Sequence, residues 1–254
     1  MSDLMSESEK KLKPLRRAND LRPIDRAEII KGLEFGSSLR ENLVTSFADC
    51  SLVSEVRRRR FVYRAGDEAD ALFAIVKGRI KLCRIEGPTE REAVIDILPE
   101  GALFGESALY SKAGRRANSA VAYETCTLLR IPAEQFKLAM VEDPLLHDFT
   151  FRLIGQRLEN AEQRLADFAL NAIPARLDRL LADFSHRYGV EETDGVLIDI
   201  PLPHREIASI VGSTRESVTV RLNAMRRAGT IEFVNRRILI KRPELLLGEV
   251  ALAN

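Results

Sequence analysis

The chain has 254 residues, 45% of them hydrophobic, and a formal charge of +1. That length and apolar content suit one large domain or two modest ones with a sizeable core, and they exclude overall disorder. The near-neutral balance excludes a uniformly basic binder, so any affinity for a polyanion must come from local asymmetry.

Residues 1–20 are charged and polar and read as a mobile extension, without the apolar centre of a signal peptide. No apolar run approaches the roughly 18 residues of a membrane span. Residues 22–48 mix apolar and charged positions at helical spacing, with Pro23 suited to a helix start, and predict one or two short helices. From Phe61 to about Ile131 the runs "FVYRAGD", "ALFAIVKGRIKLCRIEG", "EAVIDILPEGALFGE" and "SAVAYETCTLLRIP" are short, β-rich and divided by glycines, which predicts an antiparallel sandwich or barrel. The four arginines Arg57–Arg60 lead into that region and read as alternating positions on a solvated β-edge, within reach of bent DNA.

A long helix is predicted from Pro144 to about Ala172. Phe151, Ile154, Leu158, Ala161, Leu165 and Phe168 step by 3, 4, 3, 4 and 3, the spacing of a heptad seam. Leu145, Phe149 and Leu153 form a second line. One stripe can bury on the helix's own domain, as in an ordinary core helix, while the other faces a second copy. Pro174 starts a further helix, Gly189 ends it, and residues 191–195 read as an acidic loop.

The stretch from His204 onward has the order of a DNA reader. Ile207, Ala208, Ile210 and Val211 give the inner face of a short helix, Gly212 permits a tight turn, and Ser213 or Thr214 caps the next helix. Val218, Leu222 and Met225 give that helix its inner face, Gly229 ends it, and "TIEFVNRRILIKR" alternates about Asn235 as a two-stranded wing. Between Arg205 and Arg242 there are nine basic residues against three acids, an excess suited to phosphates. The start of the second helix is expected in the major groove. There Arg215 can donate twice to guanine and Glu216 can accept from cytosine. His204, Arg205, Ser213, Thr214, Ser217, Thr219, Val220, Arg221 and Arg236 complete the expected contact set, with Val220 able to meet a thymine methyl.

These motifs, in this order, resemble the CRP/FNR family of bacterial transcription regulators over roughly Val53–Leu246. The resemblance implies an α+β chain with an antiparallel β-roll (double-stranded β-helix) sensory domain, a long dimerisation helix and a C-terminal winged helix-turn-helix. The divisions expected are an extension over 1–36, the roll over 37–142, the dimer helix over 143–173 and the DNA-binding domain over 174–254. It also implies a homodimer on a near-palindromic DNA site and contact with RNA polymerase. In cAMP-responsive members the pocket combines glycine, glutamate and arginine-serine-alanine. Here Gly105, Glu106 and Arg116 match, but Ala117 and Asn118 follow, and the paired hydroxyls of the dimer helix fall at Ala161 and Glu162. Each lost hydroxyl removes a hydrogen bond of about 1 kcal/mol. The pocket reads as a retained scaffold with a degraded cAMP site, Glu106 and Arg116 bracing the hairpin; a working cyclic-nucleotide pocket is the alternative.

Other sensors find less support. An iron–sulfur cluster needs several cysteines, and residues 1–49 have none. Cys50, Cys83 and Cys126 form no C-x-x-C pair or disulfide framework, so the chain reads as reduced and cytoplasmic. Cys83 and Cys126 read as buried apolar residues and Cys50 as a thiol-sensor candidate. His147, four residues before Phe151, is the candidate for haem or pH sensing. A cupin-type enzyme would need clustered histidines in the roll, and residues 61–131 contain none. No catalytic or metal-binding residue and no resident cofactor are therefore expected.

Overall fold

The computed structural model describes residues 23–37, 39–87 and 91–242; the expected extension lies outside them up to residue 22. In chain order it has helices α1 (Pro23–Gly32) and α2 (Glu41–Cys50), then strands β1 (Leu52–Val56), β2 (Phe61–Tyr63), β3 (Ala71–Lys77), β4 (Ile80–Glu86), β5 (Arg91–Leu98) and β6 (Leu103–Phe104). The short α3 (Ser107–Tyr110) precedes β7 (Ser119–Ala122) and β8 (Cys126–Pro132), followed by α4 (Ala133–Glu142), α5 (Pro144–Leu170) and α6 (Ile173–Tyr188). The last elements are β9 (Gly189–Glu192), β10 (Gly195–Ile198), α7 (His204–Val211), α8 (Arg215–Arg227), β11 (Ile231–Val234) and β12 (Arg237–Ile240).

The roll is two four-stranded antiparallel sheets, β1-β8-β3-β6 and β2-β7-β4-β5. Its central strand β3 is buried from Ala71 through Ile75, so "ALFAI" is a continuous apolar run rather than an alternation. Phe73, Phe104 and Tyr63 meet inside it, the first two rings stacked at 5.4 Å. Outside the strands, Phe35, Phe47 and Phe136 tie the N-terminal helices to α4, with Phe47 and Phe136 stacked at 5.7 Å. Arg57–Arg60 are exposed but do not form the expected β-edge: they make the turn between β1 and β2, with Arg59 left-handed at φ 65°. The backbone of Arg59 and Arg60 is held there by hydrogen bonds to Ala122.

Two compact units result. One comprises the described residues up to Leu82 with Glu100–Arg152; the other comprises the hairpin segment Cys83–Pro99 with the described residues from Leu153 onward. In the second unit, α6 buries Leu177, Leu180, Leu181, Phe184 and Tyr188 at helical spacing. Its C-terminal sheet has four strands, β11-β12-β10-β9, not the two of a simple wing. The acidic stretch around 191–195 is correspondingly a hairpin rather than a loop: Val196 pairs with Glu191 and Ile198 with Gly189. Every residue of β9 is exposed, so it lacks the alternation that marks a strand in sequence. Among the described residues no helix is long and apolar enough to cross a membrane.

Candidate nucleic-acid interface

The α7–α8 pair is built as its residues dictate. Ile207, Ala208 and Val211 of α7 are buried against Val218, Leu222 and Met225 of α8. Burying each of the larger aliphatic side chains is worth about 1.5–3 kcal/mol. Gly212 ends α7 in the left-handed region at φ 63°, and a Cβ there would run into the ring of Phe168. Thr214 caps α8: its hydroxyl accepts from the Ser217 amide at 3.2 Å and donates to the Ser217 hydroxyl at 3.0 Å.

The cap leaves Arg215, Glu216 and Ser217 exposed on the first turn of α8. Val220, one turn on, is 68% exposed, although it is aliphatic and sits on a helix with a well-formed inner face. Arg205 is exposed at the start of α7, its guanidinium 3.8 Å from Glu92. Arg236 is exposed at the wing tip, where Asn235 and Arg236 are both left-handed, at φ 49° and 67°. That is the geometry of a tight two-residue hairpin turn.

Arg221, Thr219 and His204 of the expected contact set are also engaged within the protein. Arg221 donates to Asp178 of α6 at 2.9 Å, and Asp178 is buried. One residue beyond Val220, Arg221 is turned about 100° around the helix, toward α6. Thr219 donates its hydroxyl proton to the Arg215 carbonyl at 2.7 Å and lies 2.8 Å from His204 Nδ1. With that proton committed, Nδ1 of His204 must carry the hydrogen between them. Burial and the charge of Arg215 lower the His204 pKa, which favours the neutral ring. Ser213 has its hydroxyl buried without a hydrogen-bond partner among the described residues.

The dimer-seam positions Phe151, Leu158, Leu165 and Phe168 are exposed on α5, as is Ala161, while Ile154 is half-buried. Phe168 also serves its own chain: its ring lies beside Gly212 and 4.9 Å under the Arg176 guanidinium. His147 is exposed at the start of the same helix.

In the roll, Gly105 is left-handed at φ 84° and Arg116 is buried beside it. The guanidinium donates to the carbonyls of Gly105 at 2.9 Å and Ala71 at 2.7 Å. It stacks 4.4 Å from the Tyr63 ring centroid and lies 3.7 Å from Asp70. Burial pulls the Arg116 pKa down, while Tyr63, Asp70 and, more weakly, Glu106 oppose the drop. Asn118 accepts from the Tyr63 hydroxyl at 3.4 Å, and Ala117 is exposed. Ala161 and Glu162 are exposed on α5.

Burial pushes the Cys126 thiol up to about 11, against the opposing effect of its hydrogen bonds to the Arg79 and Glu124 carbonyls. It also raises that of half-buried Cys50. Among the described residues no three or more His, Cys, Asp or Glu side chains gather as a metal site would require.

Comparison with known proteins agrees with this architecture. Residues 53–143 match the family described as "Cyclic nucleotide-binding domain", and residues 175–248 match "Crp-like helix-turn-helix domain". The chain is 31% identical to the global nitrogen regulator of Nostoc sp. over 77% of its own length and 87% of that protein. It is 26% identical to the CRP-like cAMP-activated global transcriptional regulator of Mycobacterium tuberculosis over 74% of its length and 84% of that protein. FixK2 from Bradyrhizobium japonicum has the same fold, with a TM-score of 0.69 at 16% identity over 78% of this chain and 96% of that one. With a roll, a long helix and a helix-turn-helix in sequence, the chain belongs to the CRP/FNR family and is a DNA-binding transcription regulator with a domain of the cyclic nucleotide-binding class.

Proposed function

We propose that the chain works as a cytoplasmic homodimer on near-palindromic DNA, with the first turn of α8 in the major groove and RNA polymerase as a further partner. The observation that carries this reading is the exposed row of Arg215, Glu216, Ser217 and Val220 on a capped helix whose other face is fully packed. Two copies joined along Phe151, Leu158 and Leu165 of α5 would carry two such rows, to be set about one DNA turn, roughly 34 Å, apart. Arg205 and Arg236 then meet phosphates on either side of the reading helix.

The same proposal holds that the roll does not answer to cAMP. A cyclic phosphate needs the Arg116 donors, and these already serve two main-chain carbonyls inside a cage of Tyr63, Phe73 and Asp70. Freeing them would give up the hydrogen bond to the Ala71 carbonyl, at about 1–3 kcal/mol, while the Gly105 carbonyl keeps the Ala108 amide. The M. tuberculosis relative carries "cAMP-activated" in its name, so the contrast can be tested directly. An operator duplex selected from a randomised pool by the unaltered protein would be titrated with and without cAMP and cGMP. Unchanged affinity is expected. A tenfold rise, about 1.4 kcal/mol, would restore the pocket as a working cyclic-nucleotide site.

A further inference from the structure

Ser209 lies on α7, half-buried, outside the expected DNA-contact set. Its hydroxyl makes two hydrogen bonds to the main chain of β5, accepting from the Val94 amide at 3.0 Å and donating to the Glu92 carbonyl at 2.7 Å. Glu92 and Val94 are two residues apart, so their main-chain polar groups face the same way. β5 is an outer strand of its sheet, so among the described residues that side has no neighbouring strand to bond. One side chain of the reading head therefore takes both a donor and an acceptor on the free edge.

A second cluster holds the same hairpin segment. Asp96 accepts from Arg187 of α6 at 2.9 Å and lies 3.5 Å from Arg164 of α5. Arg187 donates its other terminal nitrogen to the Ile97 carbonyl at 2.6 Å, and the Tyr188 hydroxyl donates to that carbonyl too. All of these residues lie in one compact unit. The docking does not cover the reading row, since Arg215, Glu216 and Val220 stay exposed, and an open cleft of about 420 Å³ is lined by Arg91, Glu92, Arg205 and Arg215.

We propose that Ser209 is a positioning residue for DNA reading: by bridging Glu92 and Val94 it fixes α7, and with it α8, on the Cys83–Pro99 hairpin in a pose that presents the reading row. This rests on the DNA-reading assignment of α8. A head held in its working orientation loses less freedom when it meets the duplex.

The test compares Ser209→Ala and Ser209→Thr in the full chain, on the selected operator duplex. Ser209→Ala is expected to weaken affinity about five- to tenfold while leaving the salt slope and the oligomeric state unchanged, because no phosphate contact is lost. Exchange of the Val94 amide with solvent should speed up by about tenfold or more. Ser209→Thr keeps the hydroxyl and should keep both properties. Unchanged affinity in Ser209→Ala overturns the positioning role. Tighter binding overturns it as well, for the contact would then be a restraint that DNA has to release. Failure of the DNA-reading assignment is distinguishable, since the unaltered chain would then bind no duplex while Val94 exchange would still respond to Ser209→Ala.

Discussion

Arg215 and Arg221 sit six positions apart on one helix and do different things. Arg215 is exposed on the first turn, so Arg215→Ala should relax base preference at one position of each half-site by about 1–3 kcal/mol, read by competition among single-base variants of the operator. Arg221 is held by buried Asp178, 2.9 Å away. Arg221→Ala should therefore show first as lost stability of the C-terminal unit in urea denaturation, by about 1–3 kcal/mol once the guanidinium's partial exposure is discounted. Adding Asp178→Asn should recover part of that loss. If Arg221→Ala leaves stability intact and only flattens the salt dependence of binding, the inward pairing is wrong and the residue faces phosphate.

At the level of elements, the helix-turn-helix was readable because its signals are local: apolar positions at helical spacing, a glycine at the turn, and a threonine at the cap. Gly212 adds a constraint with no local signature, since the ring that closes over it comes from Phe168, a residue chosen in sequence only for its place in the seam. Gly212→Ala should lower stability by about 2 kcal/mol or more, combining a left-handed alanine with displacement of the ring. Gly229 has nearly the same conformation, φ 72°, with nothing among the described residues within 4 Å of its missing Cβ. Gly229→Ala should cost only the strain, about 1 kcal/mol, and equal losses in the two variants would show that the ring plays no part. The elements that escaped sequence reading did so for similar reasons. β9 is exposed throughout, so no alternation betrays it. Arg57–Arg60 bend because Ala122 of β7 holds the backbone of the turn, not because of any turn residue among them. In the roll, the residues around Arg116 were legible by type, but that its donors face inward depends on carbonyls of Ala71 and Gly105, which a sequence cannot orient.

For the whole molecule, assembly decides whether the reading rows can act together. Leu158 and Leu165 are 60% and 69% exposed in one copy. Joint replacement, Leu158→Glu with Leu165→Glu, should give a monomer by sedimentation, with affinity for a two-half-site operator reduced by about a hundredfold or more. A dimer that survives both charges would place the interface elsewhere. The wing sets a limit of another kind. The Leu202 amide, in the segment just before α7, donates to the Arg236 carbonyl at 3.1 Å, tying the wing tip to the lead-in of the helix pair. If Arg236 and Arg215 meet DNA as proposed, that tie restrains the interval between them. Promoters whose half-sites differ in groove width should then be ranked by how readily they bend to match it.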